Sequence, residues 1–77
     1  LREVMPPGTD TGESMLLHEG EEGGVAVEGE VEVTVGDLVR VLRAGEAYYF
    51  ESKVPHRFRN TGEVDAVIFS ANTPATF

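Results

Sequence analysis

From Val25 to Val35 the chain alternates with a period of two, broken at one position. Val25, Val27, Val31, Val33 and Val35 hold odd positions, and Ala26, Glu28, Glu30, Glu32 and Thr34 hold even ones. A period of two is the repeat of an extended backbone, in which successive side chains leave opposite faces. β-Branched valines suit a pleated, half-covered surface, and glutamates suit water. The segment therefore predicts β-structure with the valines turned inward and the glutamates outward. Gly29 is the one interruption on the inward face, where a glycine marks a bend, a bulge or a close backbone approach.

The rest of the chain punctuates similarly. Gly36-Asp37 separates Val35 from Leu38–Leu42, and a Gly-X pair between two strand-like runs predicts a type II′ hairpin. Ala44-Gly45-Glu46 is the next turn, before Ala47–Phe50, and Glu51–Pro55 breaks the chain again. Beyond it Val54, His56, Phe58 and Asn60 share one strand face, while Arg57 and Arg59 share the other. Asn60-Thr61-Gly62 turns into Val64–Ala71. The stretch Met5–Ser14, rich in Pro, Gly and polar residues, reads as loop or edge. No window carries a helical period. Short strands between glycine turns predict an all-β fold, a small antiparallel barrel or jelly roll. Residues 1–13 would form an N-terminal loop or edge segment and residues 14–77 a single barrel. Val27, Val31, Val33, Phe58 and Ile68 are expected among its inward residues.

Composition narrows the function. At 77 residues the chain is one domain that buries only ~60% of its unfolded surface, so its core is thin and pairing with a second copy would help. Exposed strand edges give the same expectation of a homodimer. The net charge is -8, and a polyanion-binding surface needs a basic footprint, which argues against unaided nucleic-acid binding. The acids are concentrated: residues 1–37 hold ten acids and one base, residues 38–77 four acids and five bases. No apolar run reaches the ~20 residues of a membrane helix. The absence of cysteine excludes disulfides, thiolate metal sites and thiol nucleophiles, and a cytoplasmic home is the default expectation. Ser14 and Ser52 lack His/Asp partners at meaningful spacing, and Gly20, Gly23 and Gly24 precede no helix that could hold an anion.

The two histidines stand at informative places. His18 precedes the valine segment, and His56 opens a strand after Val54-Pro55. Two histidines and one carboxylate converging in a barrel are the facial set favoured by non-haem Fe(II), and Mn, Ni or Zn also accept it.

The spacing around them resembles the two motifs of the cupin superfamily, G-x5-H-x-H-x3–4-E-x6-G and G-x5-P-x-G-x2-H-x3-N. Here His18, three residues, Glu22, six residues and Gly29 follow the first motif. Gly45, five residues, Glu51-Ser52-Lys53, two residues, His56, three residues and Asn60 follow the second. The resemblance covers residues 14–73 and implies a double-stranded β-helix with His18, Glu22 and His56 as metal ligands. It also departs from the pattern. Leu16 stands where the first motif histidine belongs, Asp10 replaces the glycine before it, and Glu51 and Lys53 replace the proline and glycine of the second motif. One family ligand is therefore missing, and a divalent Fe, Mn, Ni or Zn would be held by three side chains or be absent.

The wording around the motifs is closer still to one branch. His18-Glu19-Gly20-Glu21-Glu22, Val54–Asn60 and the tail Asn72–Phe77 resemble the C-terminal cupin of XRE-type helix-turn-helix regulators. That resemblance implies a small-molecule sensor, itself not an enzyme, whose DNA contacts belong to a separate N-terminal domain. An acidic barrel suits a cationic ligand such as a polyamine, with Leu16, Tyr48, Phe58 and Asn60 lining the pocket. The alternative from another class is a small metal-dependent cupin enzyme, of dioxygenase or isomerase type, using His18, Glu22 and His56. Tyr48, Tyr49 and Phe50 are expected in the core and barrel wall, and Arg57 and Arg59 are expected to pair with acids such as Glu30 and Glu32.

Overall fold

The structure, a computed structural model, describes residues 1–11 and 20–73. Its strands are β1 (Arg2–Met5), β2 (Glu21–Glu28), β3 (Glu30–Val35), β4 (Leu38–Arg43), β5 (Ala47–Glu51), β6 (His56–Arg59) and β7 (Ala66–Thr73). They form two antiparallel sheets, a four-stranded one in the order β1-β7-β2-β5 and a three-stranded one in the order β4-β3-β6. The sheets close over one apolar core in which Met5, Val31, Leu42 and Ile68 are each less than 5% exposed. No helix occurs among the described residues, and none is long and apolar enough to cross a membrane. The all-β barrel predicted from the alternation is the fold that forms.

The hairpin forms as expected. Val35 pairs with Leu38, so Gly36-Asp37 is a two-residue loop. Gly36 takes φ +57° while no described non-glycine residue has positive φ, which is the signature of a type II′ turn.

One part of the alternation is reversed. Val31 and Val33 are buried at 0% and 5%, but Val27 is 37% exposed and Ala26, expected outside, is 1% exposed. Val25, also expected inside, lies on the outer face opposite Phe69. The cause is a change of sheet. β2 belongs to the four-stranded sheet and turns Glu22, Gly24 and Ala26 inward, whereas β3 belongs to the other and turns Val31, Val33 and Val35 inward. The β2–β7 register slips between Ala26 and Glu28, which makes Val27 the extra residue of a bulge. Gly29 then bends the chain at φ +70°, where a Cβ would strike the Asp65 carbonyl and approach the Ala66 Cα to 3.0 Å. Bulge and bend together shift the phase by one residue while the sequence keeps alternating.

The outer faces of the two sheets differ. On the three-stranded sheet Glu30 meets Arg43 at 3.5 Å, and Glu32 lies opposite Arg59 in the register. Arg57 does not pair with either glutamate. It faces Thr34 across the sheet, and its Nε donates to both oxygens of Asp10 at 2.9 and 3.1 Å. Asp10 is within reach because its backbone bridges to Arg59. On the four-stranded sheet the outer face exposes Val4, Val27, Tyr49 and Phe69; Tyr49 is thus a wall residue facing out, not part of the core.

Asn60 ties the N-terminal segment to this frame. Its Nδ2 donates to the carbonyls of Met5 and Val64, each at 2.8 Å, and its Oδ1 accepts from the Gly62 amide at 2.9 Å. Buried at 1% exposure, the side chain meets the requirement that a buried amide be hydrogen-bonded.

Candidate functional site

The interior is apolar at one end and polar at the other. β6 brings His56 to the polar end, and the Val54-Pro55 turn before it fixes the ring, whose Nδ1 lies 2.8 Å from the Val54 carbonyl. A carbonyl only accepts, so Nδ1 carries the hydrogen and the neutral ring keeps its lone pair on Nε2. That nitrogen lies 3.9 Å from Glu22 Oε1, with the two side chains 12% and 17% exposed.

Glu22 projects from the inner face of β2. Its other oxygen accepts a hydrogen bond from the Tyr48 hydroxyl at 3.3 Å. Burial first, and then the Glu22 charge, push the Tyr48 hydroxyl well above the usual phenol range, so Tyr48 acts as a lasting donor. Gly24 makes this contact possible. A Cβ there would fall 2.5 Å from the Tyr48 hydroxyl and 2.7 Å from the Phe69 carbonyl. Aromatic packing holds the rest: Tyr48 stacks on Phe50 at 5.7 Å, Phe50 leans on His56 at 4.7 Å, and Phe58 meets Tyr48 edge-on at 5.1 Å.

A cavity of about 210 Å³ opens between the edge strands β4 and β5, walled by Val33, Val35, Leu42, Tyr48 and Phe50, with Leu38 and Arg40 at its β4 side. This volume lies below the ~300–1,000 Å³ of drug-sized pockets and suits a small ligand.

Of the residues expected from sequence, the fold brings together Glu22, His56, Tyr48 and Phe58. Asn60 makes its three side-chain bonds to backbone instead, at Met5, Gly62 and Val64. Leu16 and His18 lie outside the described residues. Among the described residues no three His, Cys, Asp or Glu side chains cluster for a metal. Glu22 and His56 nevertheless make a compatible pair of donors: Nε2 makes no hydrogen bond among the described residues, and two metal–ligand arms of ~2.0–2.2 Å can meet across their 3.9 Å gap.

Three residues of the site escape a reading by motif. Gly24 is a strand residue and not a loop glycine, which its position opposite Tyr48 explains. Ser70 follows Ala66 and Ile68 at intervals of two on the inner face of β7, and its side chain works slightly against the rise in the Tyr48 pKa. Arg40 sits between Leu38 and Leu42 at the same interval on β4. In each case the signal is a residue out of keeping with the face it occupies.

Known proteins place this geometry. The cupin domain family matches residues 1–72. The chain is 43% identical over 75 residues to the HTH-type transcriptional regulator PuuR of Escherichia coli K12, covering 97% of this chain but 40% of that protein. The chain thus spans less than half the length of this relative. The cupin domain of an XRE family transcriptional regulator from Enterobacter cloacae superposes with a TM-score of 0.87 at 22% identity, over 97% of this chain and 79% of that one; it supports the fold. A structure described as a predicted oxalate decarboxylase from Thermotoga maritima superposes with a TM-score of 0.82 at 28% identity, over 92% of this chain and 61% of that one. Two sheets, the spacing of both motifs and a match along nearly the whole sequence lead to one conclusion: the chain belongs to the cupin domain family.

Proposed function

We propose that this cupin is the ligand-sensing part of a transcriptional regulator, that residues 14–77, with β1 added as an edge strand, form its sensor barrel, and that DNA contacts belong to a separate domain. The observation that carries the ligand site is the Glu22 carboxylate. It is largely withdrawn from water beside the Tyr48 and His56 rings, and its described partners are a neutral phenol and a histidine ring. A carboxylate so placed favours a cation, because a buried charge is costly unless it is paired. The cation can be an organic ammonium, as a polyamine would supply, or a divalent metal such as Fe, Mn, Ni or Zn. For a metal, Glu22 and His56 would be joined by His18, and the ion would act as a Lewis acid toward a bound oxygen.

Titration calorimetry tests the site, with 1,4-diaminobutane and each of the four metal ions as probes against the parent chain and Glu22→Gln. At least one probe should bind the parent, and Glu22→Gln should weaken it by tenfold or more. Equal binding to both proteins would refute a cation site at Glu22. The metal-dependent enzyme remains a second reading, favoured by a His56 Nε2 turned toward Glu22 and by likeness to the Thermotoga protein. It requires metal retained at about one ion per chain together with loss of retention in His56→Ala.

The regulator reading also implies pairing. The apolar outer face of the four-stranded sheet, with Val4, Val27 and Phe69 exposed beside the open edge of β1, suits a second copy. Phe69→Asp should convert the dimer to monomer by light scattering; a parent chain monomeric at high micromolar concentration would argue against it.

A further inference from the structure

The two oxygens of the Glu22 carboxylate face different partners. Oε2 accepts a hydrogen bond from the Tyr48 hydroxyl at 3.3 Å, and Oε1 lies 3.9 Å from His56 Nε2. A glutamate side chain is long and rich in rotamers, so what holds each oxygen decides how the group presents its charge. At Oε2 the holder is a phenol, which keeps its proton at neutral pH and therefore donates. Oε1 is left turned toward the imidazole.

Tyr48 is itself held in place. The β2–β5 register sets it opposite Gly24, which shares a strand face with Glu22 two residues before it. A Cβ on Gly24 would stand 2.5 Å from the hydroxyl, so the missing side chain is the space through which the phenol reaches the carboxylate. The ring stacks on Phe50 at 5.7 Å and meets Phe58 edge-on at 5.1 Å. That packing accounts for an aromatic ring at this position, and a phenylalanine would supply it equally well. The bond to Glu22 accounts for the hydroxyl.

We infer that Tyr48 is a positioning residue that leaves Glu22 one oxygen for a ligand, and that the site selects cations satisfied by a single carboxylate oxygen. This rests on the reading of Glu22 as a cation site and deepens it. A primary ammonium is a compact charge that one oxygen can accept. A guanidinium donates two parallel hydrogen bonds from a rigid fork, and it needs both oxygens turned toward it. Metal ions divide in the same way. Zinc accepts imidazole nitrogen and can be shared between Oε1 and Nε2. Calcium takes an all-oxygen shell, to which a carboxylate often gives both of its oxygens. By occupying Oε2, Tyr48 disfavours the guanidinium and the calcium ion.

The test titrates the parent chain, Tyr48→Phe and Glu22→Gln with two matched pairs of probes, 1,4-diaminobutane against 1,4-diguanidinobutane and zinc against calcium. In each pair that binds, the parent should prefer the first member. Tyr48→Phe should narrow that preference roughly tenfold, the scale of one hydrogen bond to a charged group, because the released Oε2 can then join Oε1. A general loosening of the site would weaken both members of a pair alike, so the ratio separates positioning from structural support. A ratio unchanged in Tyr48→Phe, or a parent without the preference, overturns the inference; the Glu22 site stands as long as Glu22→Gln weakens binding. If no probe binds the parent, or Glu22→Gln binds as the parent does, the cation site fails and the inference with it.

Discussion

The two ends of the barrel interior are built from the same strands to opposite effect. On β2 the inward series runs Glu22, Gly24, Ala26; on β7 it runs Ala66, Ile68, Ser70. One end of each series is close-packed hydrocarbon, where Ala26, Ala66 and Ile68 are each 1% exposed. The other end gathers a carboxylate, a phenol, a hydroxyl and an imidazole, and the phenol ring also lines the cavity between β4 and β5. The dry end supplies the fold's stability, and the wet end leaves polar groups open to a ligand. A chain of this size cannot stabilise both ends equally, since its apolar core is small. Substitutions at the dry end should therefore act on folding, and substitutions at the wet end mainly on binding.

The largest effect should come from Ile68→Ala. Ile68 is among the largest fully buried side chains, and truncating such a residue removes its transfer energy and leaves a cavity, at a cost of ~2–5 kcal/mol. Urea unfolding should show a lower midpoint with an unchanged slope. A loss below about 1 kcal/mol would mean that the dry end repacks freely, and the contrast between the ends would collapse.

Gly24→Ala tests the border between the ends. The new Cβ meets the Tyr48 hydroxyl, which can swing, and the Phe69 carbonyl at 2.7 Å, which cannot move without disturbing the β2–β7 ladder. Overpacking of this kind costs ~1–3 kcal/mol. The same variant should weaken any ligand that depends on the Tyr48–Glu22 contact. Stability lost with binding intact would show that the hydroxyl is not needed at the site.

The dry end was far more legible in the sequence than the wet one. Val31, Val33, Phe58 and Ile68 could be assigned inward from the valine alternation, the glycine turns and the motifs together, because a strand that stays in one sheet keeps its phase. Val27 could not. Whether a glycine inside an alternating run is a mere interruption or a crossing between sheets depends on Asp65 and Ala66, which are remote in sequence and leave no mark on the local pattern. At the wet end Glu22 and His56 were visible through motif spacing, and Tyr48 through its aromatic run. Their contact was not, because it needs β2 and β5 paired with Gly24 opposite Tyr48. Arg57 pairs with a surface acid as expected, but with Asp10 and not with the named examples, because Asp10 reaches it through a loop whose course the residues around it do not specify.

The smallest effect, and the one specific to the wet end, should come from Tyr48→Phe. At neutral pH the variant loses one hydrogen bond to a carboxylate that retains solvent access, and the ring packing against Phe50 and Phe58 survives, so the loss should stay within about 1.5 kcal/mol. The informative signal lies in alkali. In the folded chain burial and Glu22 raise the Tyr48 pKa, while in the unfolded chain it titrates near ~10. Below that value both states hold the phenol proton and the stabilising difference is fully present. As pH rises past it the unfolded state releases its proton first, so it binds fewer protons than the folded state and stability falls with pH. The parent should therefore lose stability on going from pH 9 to pH 11 by more than Tyr48→Phe does, with Tyr49 common to both proteins. Denaturation midpoints at the two pH values measure this directly. Parallel loss in both proteins would mean that the Tyr48 hydroxyl is as open to water folded as unfolded, and that the wet end does not withdraw its polar groups from solvent.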